Sequence, residues 1–135
     1  MLSTFIKISS FIIVLLFCST LYAEDVYIHH QNYGNTHSKW KNRLEAAGHT
    51  VTSSTSAITN FSGIEQYYDL RYNSNSLPTD GLKTILSNGG TVVLNGENAF
   101  FGTRNGQIQT FIRDVTSDNS ITYSTSLNID YTGTN

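Results

Sequence analysis

The chain has 135 residues, with 8 Lys and Arg against 10 Asp and Glu, one Cys, one Pro and ten Gly. That length allows one domain, and charged residues at 13%, about half the usual share, exclude a basic nucleic-acid binder. Hydrophobic residues at 39% and aromatics at 12% exclude a disordered chain, and one Cys excludes a disulfide framework or a multi-thiolate zinc site.

Residues 1–23 read as a Sec-type signal peptide. Lys7 supplies the positive n-region, Phe11–Phe17 the apolar h-region, and Leu21-Tyr22-Ala23 the cleavage site. The apolar run is shorter than the roughly 18 residues a membrane span needs, so no stable membrane insertion is expected after cleavage. Phe17 stands where a lipoprotein signal places a small residue before its Cys. Cleavage after Ala23 removes Lys7 and Cys18, leaving 112 residues, net charge −3 and no cysteine. Thiol nucleophiles, thiolate ligands and disulfides leave together. The expected location is secreted or periplasmic.

Residues 24–135 read as a single domain in which strands alternate with helices. Asp25–His29 is a short apolar run that predicts the first strand. After the Gln31–Thr36 loop, Trp40, Leu44 and Ala47 recur at the spacing of an amphipathic helix, with Gly48 as its stop. His49–Thr52 predicts a second strand, Ser53–Gln66 a polar loop, and Tyr67–Tyr72 a third strand. Leu77-Pro78-Thr79-Asp80 opens a second helix whose buried face is Leu82, Ile85 and Leu86, and Asn88-Gly89-Gly90 ends it. Thr91–Leu94 has no polar alternation, which predicts a central strand covered on both faces. Asn105 is the expected cap of a third helix carrying Ile108, Phe111, Ile112 and Val115, and Ile121–Ser124 predicts a fifth strand. The pattern predicts an α/β three-layer sandwich with a mostly parallel sheet of about five strands. The polar tail Ser126–Asn135 supplies no closing helix, so the expectation includes a domain truncated at its C-terminus and marginal in stability.

In such sheets ligands bind at the carboxyl ends of the strands. The groups that fall there are His30 after the first strand, Arg71 at the end of the third, Glu97 and Asn98 after the fourth, and Arg104 a few residues on. Imidazole, guanidinium, carboxylate and amide together suit a polar or anionic ligand. Each also has a plain structural role available, such as an ion pair of Arg71 with Asp69 or of either Arg with Glu97. Adjacent residues of a strand face opposite ways, so His29 and His30 do not share a metal ion, and no metal site is expected. His37 and His49 read as ordinary helix and turn residues. Gly96 and Gly102 are not followed by Gly-Lys-Ser/Thr, and no Gly-x-Gly-x-x-Gly follows the first strand, so neither a Walker loop nor a dinucleotide site is expected. Tyr33-Gly34-Asn35-Thr36 bears a short likeness to the phosphate loop of flavodoxins, with Gln31, Asn32 and Tyr33 where hydroxyls would stand.

"AAGHTVT" at 46–52, "YYDLRYN" at 67–73 and "LKTILSNGGTVVLNGEN" at 82–98 together resemble secreted domains of the class I glutamine amidotransferase-like superfamily. The likeness runs from about Val26 to Val115 and implies a flavodoxin-like fold. Catalytic members carry a Cys nucleophile in a sharp turn after the equivalent strand, with His and acid partners from a later segment. Here that turn holds Gly96, Glu97 and Asn98, and the residues up to Asn135 include no such later segment. The resemblance therefore implies architecture without the amidotransferase reaction. The leading expectation is an exported, non-catalytic domain that binds a polar small molecule or an extracellular protein, without a cofactor. The alternative is a hydrolase using Glu97 as general base. Flavin binding stands behind both.

Overall fold

The computed structural model describes residues 22–32, 34–72, 76–96 and 102–122. Among these the chain forms a mixed α/β structure: β1 (Asp25–His29), α1 (Thr36–Ala46), β2 (Thr50–Ser54), β3 (Gln66–Asp69), α2 (Thr79–Ser87), β4 (Thr91–Leu94) and α3 (Gly102–Thr116). The strands make one parallel sheet in the order β2-β1-β3-β4. The predicted fifth strand is not seen. Ile121 and Thr122 have no regular structure, and Tyr123 and Ser124 lie outside the described residues.

Strand periodicity divides the sheet into two faces. Val26, Ile28 and Tyr68 point to one face, where Leu44 of α1, Val51, Leu70 and Val93 pack against them. Tyr27 and Tyr67 point to the other, packed with Leu82 and Ile85 of α2 and Phe111 and Ile112 of α3. Among the described residues one helix covers the first face and two cover the second. Crossover handedness accounts for this: the step from β1 to β2 runs one way, the return from β2 past β1 to β3 runs the other, and right-handed connections that reverse direction change face. The β2–β3 connection has no helix. Ile58, Phe61 and Ile64 within it nevertheless pack into the α2–α3 core.

β4 is not central among the described strands. It ends the order β2-β1-β3-β4, and Val92, Val93 and Leu94 are only half-buried. The interior pair is β1 and β3, whose Val26–His29 and Tyr67–Asp69 are all buried. An unbroken apolar run fits either position, because an edge strand of a sheet covered on both faces also meets helices on both sides. β3 stops at Asp69, three residues before the predicted end, and Leu70–Tyr72 leave the sheet as a loop. Asn105 is not a cap but a buried residue one turn into α3.

The α2–β4 turn is determined by two glycines with different duties. Gly89 takes φ +83°, in the left-handed region that favours glycine. Gly90 has ordinary φ, but a Cβ there would run into the Glu65 carbonyl and the Ile85 side chain. It lets the helix end pass close to the entry of β3.

Candidate binding site at the carboxyl edge

Successive strands are added to one side of β1 and then to the other, so the loops that leave the carboxyl ends of β1 and β3 diverge. A crevice of about 630 Å³ opens there on the α1 face. Leu70, Val93 and Leu94 contribute apolar surface, Trp40 and Tyr72 aromatic surface, and His30, Gln31, Thr36, His37 and Asn95 polar groups. Each position follows from local structure. Thr36, His37 and Trp40 lie in the first turns of α1, Leu70 and Tyr72 alternate outwards past β3, and Asn95 follows β4, its N–H donating to the Asp69 carbonyl at 3.0 Å. The Tyr72 N–H donates to Gln31 Oε1 at 3.1 Å, tying the loop after β3 to the loop after β1.

The His30 and His37 rings stack at 3.8 Å with 5° between planes. A metal bound to an imidazole lies near its plane, and two nearly parallel planes at this spacing share no such point, so the pair does not chelate one ion in this geometry. Desolvation and the neighbouring His30 hold His37 below its ordinary value. Among the described residues no three His, Cys, Asp or Glu side chains come together as a metal site. Trp40 leans on Tyr68 at 5.3 Å and leaves part of its ring exposed.

The opposite face of the same edge holds a different chemistry. Asp69 has 0% exposure. Arg71 Nε donates to its Oδ1 at 2.9 Å and Nη2 to its Oδ2 at 2.5 Å, a bidentate fork. Arg71 Nη2 also donates to the Ser76 carbonyl at 2.8 Å. Burial works against the Arg71 charge, but the Asp69 hydrogen bonds outweigh it and hold the guanidinium above its ordinary value. Arg104, 1% exposed, brings Nη2 to 3.2 Å from Asp69 Oδ1. Beside them the Tyr67 hydroxyl and His29 Nδ1 are hydrogen-bonded at 2.9 Å. Burial, followed by the Arg71 charge, lowers the His29 pKa, and burial together with the Asp69 carboxylate raises that of the Tyr67 phenol.

Of the residues expected at the site, His30 lines the crevice, whereas Arg71 and Arg104 belong to the buried cluster on the other face. They share the carboxyl edge but not one pocket. Glu97 and Asn98 lie outside the described residues. Sequence reasoning passed over Trp40 as a core residue and His37 as an ordinary helix residue, though both line the crevice. It treated Asp69 only as a partner for Arg71, although the acid anchors the cluster. Strand alternation carried through 69–72 was the available signal: it sends Asp69 and Arg71 one way and Leu70 and Tyr72 the other.

A second groove of about 600 Å³ runs between Ser76–Thr79 and the outer side of α3. Its lining offers one charged group, Asp114, which is paired with Lys83. The crevice has the denser convergence of aromatic and polar groups. No family model, curated protein or solved structure matches this chain.

Proposed function

We propose that this chain is an exported, non-catalytic α/β binding module of flavodoxin-like layout, taking a small polar ligand in the crevice between the β1 and β3 loops. The observation that carries this reading is the position of the crevice. The order β2-β1-β3-β4 corresponds to the first four strands of the flavodoxin-like order, in which the ligand sits at the divergence of the first and third strands. The resemblance to secreted glutamine amidotransferase-like domains agrees with this layout. The absence of any cysteine after Cys18 removes that superfamily's nucleophile. Export rests on the features of residues 1–23, and N-terminal sequencing of the exported protein tests it, with Glu24 expected first and Met1 the contrary result.

The lining defines the ligand. Trp40, Tyr72, Leu70 and Val93 suit the flat face of a ring in such a ligand. His30, His37 and Asn95 offer donors and acceptors to its polar edge. Trp40 is the chain's one tryptophan, so its fluorescence reports directly on the crevice. In a screen of small aromatic acids and amides against the exported protein, a ligand of the crevice changes Trp40 emission. Replacing Asn95 by Ala then weakens its binding about tenfold, the order of one lost hydrogen bond. Ligands that bind without altering Trp40 emission, and that tolerate Asn95→Ala, place the function elsewhere.

A further inference from the structure

The side chains that line the crevice bring hydrogen-bond acceptors as well as donors. The Gln31 carbonyl only accepts, so His30 Nδ1 donates to it at 3.1 Å, and Nε2 of the neutral ring is left as an acceptor. His37 lies face to face with His30 at 3.8 Å, which turns the ring faces against each other and leaves the edges, where the nitrogens are. Desolvation and the neighbouring His30 favour the uncharged form of His37, which has one donor and one acceptor nitrogen. Asn95 is anchored by its N–H to the Asp69 carbonyl at 3.0 Å, and its side-chain amide adds a further donor and acceptor. Thr36, the first residue of α1, adds a hydroxyl of the same two-way kind.

A ligand that satisfies these groups must itself give and take hydrogen bonds. A carboxylate offers acceptors only and sets its lone pairs against those of His30 Nε2 and Asn95 Oδ1. An aliphatic hydroxyl carries one donor and two acceptor lone pairs and matches every one of them. Beside them stands Trp40, 39% exposed and tilted at 44° against Tyr68, 5.3 Å away. An indole on the wall of a polar crevice suits a ring with an apolar face and a polar edge. The two demands meet in a pyranose, whose axial C–H bonds make a face apolar while hydroxyls project around the edge. At about 630 Å³ the crevice falls in the range of small-molecule sites and has room for such a ring.

We propose that the crevice binds a neutral sugar, with one pyranose ring laid against Trp40 and its hydroxyls exchanging hydrogen bonds with His30, His37 and Asn95. This rests on the crevice being the binding site and goes beyond that reading by naming the ligand class. Trp40 holds the ring by its apolar face, which pyranoses have in common. The donors and acceptors then select among sugars by the positions of their hydroxyls. Binding forms and breaks no covalent bond.

The test uses the protein as exported from the full chain, titrated at neutral pH with glucose, galactose, mannose and N-acetylglucosamine and, separately, with benzoate and benzamide. Trp40 emission and calorimetry follow binding. At least one sugar is expected to change Trp40 emission saturably, with a Kd below about 10 mM, and to bind more tightly than either aromatic probe. By calorimetry, Trp40→Ala weakens that binding about tenfold or more, and Asn95→Ala about tenfold. Far-UV circular dichroism checks that each variant folds. Trp40→Phe, which keeps an aromatic face and is expected to lose less, serves if Trp40→Ala does not fold. Binding of benzoate or benzamide in the crevice, with no sugar below that Kd, overturns the sugar and leaves the crevice standing as the site. If neither class of probe binds, both readings fall. Sugar binding that the Trp40 and Asn95 substitutions leave unchanged also overturns the proposal.

Discussion

Asp69 is the residue on which the buried edge depends, because two guanidiniums meet its carboxylate and it is fully buried. Asp69→Asn keeps the shape and removes the charge. Breaking one side of a buried ion pair costs about 3–5 kcal/mol, and urea unfolding at pH 7 is expected to show a loss of that size. A loss below 1 kcal/mol means the cluster is solvated in solution. His29 adds a pH dependence. Its folded pKa lies below the ordinary 6.5 of the unfolded chain, so between the two values the unfolded chain binds more protons. Stability is therefore complete above about pH 7.5 and falls as the pH drops below 6.5, down to the folded value. Half-buried His37 is shifted the same way, so the denaturant midpoint is measured from pH 8 to 5 in wild type and in His29→Gln. The variant is expected to flatten most of the slope; an unchanged slope assigns it to other groups. The Asp69–Arg71 pairing was legible in the sequence, since residues two apart share one side of a strand. The approach of Arg104 was not, because it arrives on α3 from a separate part of the chain.

At the scale of elements, the α2–β4 turn separates two costs that sequence alone merges in the pair Gly89-Gly90. Gly89→Ala meets nothing within 4 Å but must hold φ +83°, which costs about 1 kcal/mol. Gly90→Ala has a relaxed φ but drives its Cβ into the Glu65 carbonyl, a backbone atom that does not swing aside. Forcing such a contact in a packed site costs about 1–3 kcal/mol and displaces the β3–β4 pairing. Chemical denaturation of the two variants is expected to rank Gly90→Ala as the more damaging. The reverse order means that the Glu65 carbonyl moves more freely than the turn itself. The glycines were readable as a helix stop. Which of them is held by conformation and which by space depends on β3, packed against the turn from more than twenty residues earlier in the chain.

At the scale of the molecule, two cores share the same two strands. Val26 and Ile28 serve one face and Tyr27 the other, and Tyr68 and Tyr67 divide in the same way. Neither face can open without disturbing β1 and β3, so the two are expected to unfold together. Leu82→Ala, at a site with 0% exposure on the α2–α3 face, costs about 2–5 kcal/mol. Leu44→Ala, half-buried on the α1 face, costs about half as much. In both variants Trp40 fluorescence, reporting on the α1 face, and far-UV circular dichroism are expected to give one coincident transition. Separate transitions sink the shared-core account and make α1 an independently opening unit.

The sequence by itself determined the local elements, and it did so most fully where neighbouring residues carry all the information. Asp25–His29 and Thr91–Leu94 are strands at the bounds their composition predicts, and α2 begins after Pro78 and ends before Asn88-Gly89. Strand and helix periodicities span only two to four residues, so a short stretch of chain contains the whole signal. Tertiary structure alone decided which strands lie inside. β1 and β3 do and β4 does not among those described, since strand order is set by pairing across distances that no local pattern encodes. It also decided that the carboxyl edge serves two chemistries. The pleat sends Leu70 and Tyr72 towards an open aromatic crevice and Asp69 and Arg71 towards a closed ionic cluster. Only the helices and loops packed on each face make one side accessible and the other dry.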